Sequence, residues 1–137
     1  IAEAMPAESY TYVPFEGPRA TGDGARSFGE LMQHIGQAEG FYLGRLGKNP
    51  AAPAAPARGD FTKPTTIKYL TEVMDWSIGV VKQLTAADMT KQFGSGKNPS
   101  MSGLSLLLNA MVHTGHTRGY SDMYLRNKGV KPPTYAV

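Results

Sequence analysis

Cysteine is absent from this chain, which removes disulfide bonds, thiolate metal sites and cysteine nucleophiles together. The absence leaves the compartment open, because exported bacterial proteins lack cysteine as readily as cytosolic ones. Charge is sparse: 18% of residues are Asp, Glu, Lys or Arg against 41% hydrophobic, the balance of a globular rather than a disordered chain. The net charge of +3 is spread over Arg19, Arg26, Arg45, Lys48, Arg58, Lys63, Lys68 and onward without a dense block. The basic cluster with interleaved aromatics that marks a nucleic-acid binder is therefore missing, and nucleic acid is not an expected partner. No apolar run approaches the ~20 residues a membrane span requires. There is no initiator methionine, and the opening "IAEAMPAESY" reads as the tail of a helix whose body lies upstream. The lack of a visible signal peptide thus excludes nothing.

What is there is helical. The length of 137 residues suits one domain, 1–137, with one core. Residues 6–25, with three prolines and three glycines, are expected to be irregular. Ser27 then caps a helix in which Phe28, Leu31, Met32, Ile35, Ala38 and Phe41 recur at helical spacing, fading at Gly44 to Gly47. The Ala/Pro stretch 49–64, "NPAAPAAPARGDFTKP", blocks helix and sheet and predicts an extended connecting arm, suited to lie across a neighbouring subunit. A second helix follows "TTIKYLTEVMDWSIGVVKQL", capped by Thr65 or Thr66, with Ile67, Leu70, Met74, Ile78, Val81 and Leu84 as its stripe. Residues 85–100 read as loop with one turn of helix. The last helix runs from about Met101 to Lys128 through Leu104, Leu107, Leu108, Met111 and Val112, with Gly129 as its C′ residue. No stretch alternates with period two, so no strand is expected. Three helices with strong stripes leave a groove open, to be filled by an upstream helix or by an element from a neighbouring subunit.

Two of the three histidines fall in "AMVHTGHTRG", and the third in "LMQHIGQ". On a helix, positions i and i+3 lie about 60° apart, so His113 and His116 can ligate one metal ion from a single helix, with His34 from another helix as the third ligand. Neutral imidazoles converging in a bundle interior suit divalent zinc, nickel or iron, and three protein ligands leave a position for water or substrate. The competing reading is that each imidazole packs at a helix interface. It is supported by the lack of acidic residues beside either segment and by the i+3 spacing, where helical metal pairs more often use i+4. Glu39, Asp75 and Asp122 read as solvated, "GSG" at 94–96 as a turn, Trp76 with Tyr69 as core, and Ser121 lacks a base partner. Tyr10, Tyr12, Tyr42, Tyr120, Tyr124 and Tyr135 are numerous for so small a chain, and some are expected to line a cavity or interface.

Four stretches carry a resemblance: "AEAMPAESYTYVP" at 2–14, "RSFGELMQHIGQAEGFYLG" at 26–44, "FGSGKNPSMSGLSLLLNAMVHTGHTRG" at 93–119 and "YLRNKGVKPP" at 124–133. In that order and spacing the chain resembles the DinB-like family of metal-binding four-helix bundles. The resemblance implies an all-α, up-and-down bundle whose first helix ends near Met5 and is mostly missing from this sequence. It also implies a divalent metal held by one His on the second helix and a His-x-x-x-His pair on the fourth. The first position maps to His34 and the second to His113. The third falls on Thr117, which is not a usual ligand, while His116 beside it points about 100° away around the helix. Two readings stay open: a site rebuilt as His34, His113 and His116, or one that has decayed.

Some members of that family use the metal to activate a thiol or water, and many have no assigned activity. Two functions follow. One is a metal-dependent enzyme of unassigned small-molecule substrate, with Tyr120 or Tyr124 shaping the pocket. The other is a structural, self-assembling homo-oligomer that keeps the bundle and has lost the chemistry. The "MPAE" opening and Pro-Pro end point to an extracytoplasmic or secreted bacterial location, again by resemblance.

Overall fold

The computed structural model describes residues 1–14, 25–95 and 97–134, so part of the 6–25 stretch, Gly96 of the "GSG" turn and Tyr135 lie outside the described residues. The bundle consists of α1 (Phe28–Gly44), α2 (Lys63–Lys82), the single turn α3 (Ala86–Thr90), a hairpin of β1 (Gln92–Ser95) and β2 (Asn98–Ser102), and α4 (Gly103–Asn127). The first residues form two 3-10 turns, Ala2–Ala4 and Ala7–Ser9.

Helix α1 begins where its sequence says it should. The Ser27 hydroxyl accepts from the Glu30 amide at 3.3 Å, satisfying one of the amides that a helix start leaves without an intrahelical partner. Helix α2 starts earlier than the threonines suggested: Thr62 is the cap residue, and Pro64 sits in the first turn. Proline fits there because an amide at that position has no helical acceptor to lose. Helix α4 ends in a Schellman motif, Val130 N–H donating to Leu125 O and Gly129 N–H to Arg126 O, both at 2.9 Å, with Gly129 at φ +72°.

Helices α1 and α2 run in the same direction. Gln33 meets Thr66, Gly36 meets the Tyr69 ring, and Glu39 meets Ser77, in ascending order along both. The Ala/Pro arm makes this possible by carrying the chain back along the bundle. It lies on its own helix α2, where the Trp76 indole donates to Pro50 O and the Gln83 amide to Asn49 O, each at 2.7 Å. Helix α4 runs opposite to α1: Tyr124 OH donates to Arg26 O at one end, and Arg45 reaches Met101 at the other.

The hairpin was not expected. Its strands, "QFGS" and "NPSMS", are short, polar and without β-branched residues, so no alternation announces them. They pair antiparallel, Gln92 with Ser102 and Phe93 with Met101, and the Arg45 guanidinium clamps them by donating to Phe93 O and Pro99 O. Tertiary contact, not propensity, makes this element.

Two apolar clusters fill the bundle. One gathers Met5, Tyr10, Phe28, Leu31, Met32, Ile35, Tyr124 and Leu125; the other Leu43, Leu46, Tyr69, Val73, Trp76, Val80, Leu106 and Ala110. The faces that α2 and α4 bury are not the stripes read from the sequence. On α2 the buried residues are Thr66, Tyr69, Val73, Trp76, Ser77 and Val80. On α4 they are Gly103, Leu106, Ala110, Thr117, Ser121, Tyr124 and Leu125. Both helices pack on α1 with these faces, and the more apolar stripes stand to one side.

Candidate metal centre

The two clusters leave a polar seam between them, and the histidines from α1 and α4 meet in it. His34 Nε2 and His113 Nε2 are 3.1 Å apart, one imidazole donating to the other. The rings meet edge to face, with centroids 4.9 Å apart. On its other side α1 closes on α2 at Gly36, where a Cβ would lie 2.7 Å from the Tyr69 ring. A pocket of about 280 Å³ opens over the pair, lined by His34, Gln37, Ala38, Phe41, Tyr42 and His113.

Burial, the largest influence, holds the His113 imidazole below the ordinary histidine range. Glu39 opposes that shift, and His116 and Arg26 add to it. His113 is therefore neutral at pH 7, the form in which an imidazole donates a lone pair. Its Nδ1 is buried and has no hydrogen-bond partner. Metal-bound histidines usually donate that second nitrogen to a carbonyl or carboxylate, and this one does not.

His116 takes no part in the contact. It is exposed and sets its ring edge-on to Tyr120, centroids 4.7 Å apart. Thr117, in the place of the implied third ligand, is buried, and its carbonyl accepts from Ser121 Oγ at 2.9 Å. Among the described residues no group of three His, Cys, Asp or Glu side chains is placed to hold a metal ion.

The fit to a divalent ion is thus partial. Two nitrogens bound at ~2.0–2.1 Å to one ion, at an angle between square and tetrahedral, lie about 2.9–3.4 Å apart, which brackets the observed pair. The three-ligand set is not assembled, since His116 lies away from the pair; His34 and His113 alone have the spacing of two ligands of one ion.

Two expectations about the surroundings fail. Glu39, read as solvated, is 7% exposed: its Oε1 accepts from Thr114 Oγ1 at 2.5 Å and its Oε2 from Ser77 Oγ at 3.5 Å. A carboxylate tying three helices together was missed because its partners are hydroxyls on buried helix faces. The signal was there in the small polar residues Ser77, Thr114, Thr117 and Ser121 spaced along two apolar helices. Tyr124 does not shape the pocket either, being buried in the first apolar cluster, and Tyr120 is exposed beside His116; Phe41 and Tyr42 form the aromatic wall instead.

Known proteins agree with this architecture. The model of the DinB superfamily matches residues 1–121. A DinB-like crystal structure from Bacillus subtilis is 22% identical with a TM-score of 0.67, and one from Bacillus cereus is 19% identical with a TM-score of 0.75. Each similarity covers 98% of this chain and 85% of the other. No curated protein matches. This chain belongs to the DinB superfamily.

Proposed function

We propose that the chain is a DinB-like bundle whose divalent-metal position is reduced to the His34–His113 pair, and that it binds small ligands in the adjoining pocket without a tightly held ion. The observation that carries this reading is the 3.1 Å contact between the two Nε2 atoms with a buried threonine, Thr117, where a third imidazole is implied. Two imidazoles facing each other share one proton between them and present a polar floor to the pocket. Phe41, Tyr42 and the ring faces of the histidines supply apolar walls. An ion bound there would supply Lewis acidity toward a thiol or water. The residues of this chain would hold it by the two nitrogens of His34 and His113.

Restoring the missing ligand tests the reading. In Thr117→His, zinc or cobalt affinity is expected to rise by about a hundredfold or more over the natural chain, as a third imidazole completes the open site. Cobalt absorption spectra that show no gain in the variant, together with tight binding by the natural chain, would overturn it.

A further inference from the structure

From Asn98 to Thr117 the chain has no Asp, Glu, Lys or Arg. Most of that stretch is α4, and a helix so poor in charge is expected to be covered on every side. The fold turns Leu106, Ala110, Thr117 and Ser121 toward α1 and buries them. On the opposite side of the helix Leu104, Leu108, Val112, Gly115, Gly119 and Met123 fall within an arc of about 100°. The four side chains among them are 46–65% exposed, and both glycines are exposed as well. They form one row about 28 Å long, a contiguous apolar patch rather than scattered surface residues.

The glycines have no internal cause. A Cβ built at Gly115 or Gly119 meets no atom within 4 Å, and neither residue has a positive φ. Glycine weakens a helix interior, and here neither packing nor backbone conformation within the chain asks for it. A close approach from outside does.

We infer that this row is the contact of a two-fold dimer, in which α4 packs antiparallel on α4 of a second copy. The row is complementary to itself in that direction. Its first half is bulky, with Leu104, Leu108 and Val112, and its second half holds Gly115, Gly119 and Met123. Turned end for end about the point midway between His113 and Thr114, it sets Leu108 over the partner's Gly119 and Val112 over the partner's Gly115. The same turn places Leu104 beside the partner's Met123. All three pairs share one centre, as an isologous contact requires. A parallel pairing instead sets leucine on leucine and glycine on glycine, which leaves voids.

The electrostatics agree with the shape. The row carries no charge, so the two-fold brings no like charges together, and the antiparallel helix dipoles attract. The contact covers on the order of 500 Å² per copy, the low end for specific interfaces, which places the dimer in the micromolar range. The inference does not depend on the histidine pair.

Sedimentation velocity of the natural chain is expected to show a monomer–dimer equilibrium with Kd of about 1–100 µM, weakened about tenfold or more in Leu108→Glu. No cysteine complicates a test of register. Leu108→Cys and Gly119→Cys are made singly and mixed under mild oxidation. A disulfide between the two variants is expected, while neither cross-links to itself, because identical positions stand about 16 Å apart along the pair. A natural chain that stays monomeric at about 500 µM overturns the inference. So does a dimer that Leu108→Glu leaves intact, or one that gives no mixed disulfide. A monomer whose binding to anionic phospholipid vesicles is lost in Leu108→Glu overturns it in favour of a membrane surface.

Discussion

At the scale of single residues the histidine pair ties function to stability. His113 is held below the ordinary histidine range by burial, so the unfolded chain takes up its proton more readily than the folded one. Its contribution to stability is complete above pH ~6.5 and is lost as the pH falls through that value toward the depressed one. Urea midpoints at pH 7.5 and 5.5 are expected to fall on acidification, and to fall less in His113→Gln; an equal fall in both would show that this imidazole is not the group responsible. Glu39 makes the opposite demonstration. Glu39→Ala leaves the Thr114 and Ser77 hydroxyls without their acceptor, and a loss of about 1–3 kcal/mol in unfolding free energy is expected. The histidines were legible in the sequence because imidazoles in apolar helical stretches are conspicuous. Glu39 was not, because nothing local separates a carboxylate on a solvated face from one that three helices enclose.

At the scale of elements, the start of α1, its buried face and the stop of α4 were readable, while the start of α2 and the buried faces of α2 and α4 were not. Ser27 and Gly129 act locally, through one hydroxyl and one left-handed residue, and stand where their chemistry placed them. The same logic applies to Ser102, whose hydroxyl accepts from the Ser105 amide at 3.1 Å; Ser102→Ala is expected to cost about 1 kcal/mol by thermal or urea unfolding. The apolar stripes of α2 and α4 are present as stripes, but they are not the faces these helices bury. Periodicity finds the most apolar face of a helix and cannot say which partner it meets. In this bundle the face toward α1 admits Thr66, Ser77, Thr117 and Ser121, small enough for close approach. Gly36→Ala checks that approach: the added methyl meets the Tyr69 ring, and destabilisation of about 1–3 kcal/mol is expected where a surface glycine in a helix would gain stability.

At the scale of the molecule, a long arm turns two consecutive helices parallel, a hairpin clamped by Arg45 closes one end, and α4 returns to bring His113 onto His34. The resemblance anticipated the bundle and the His34–His113 meeting; it could not anticipate what this chain does where the third ligand is implied. That point decides what the centre can hold. Calorimetric titration of zinc into the natural chain and into His34→Ala, His113→Ala and His116→Ala tests it most directly. The account predicts one ion bound no tighter than about 1 µM, well short of the ~10–16 kcal/mol of structural zinc sites, lost in the first two variants and unchanged in the third. Tight binding that disappears in His116→Ala would contradict it.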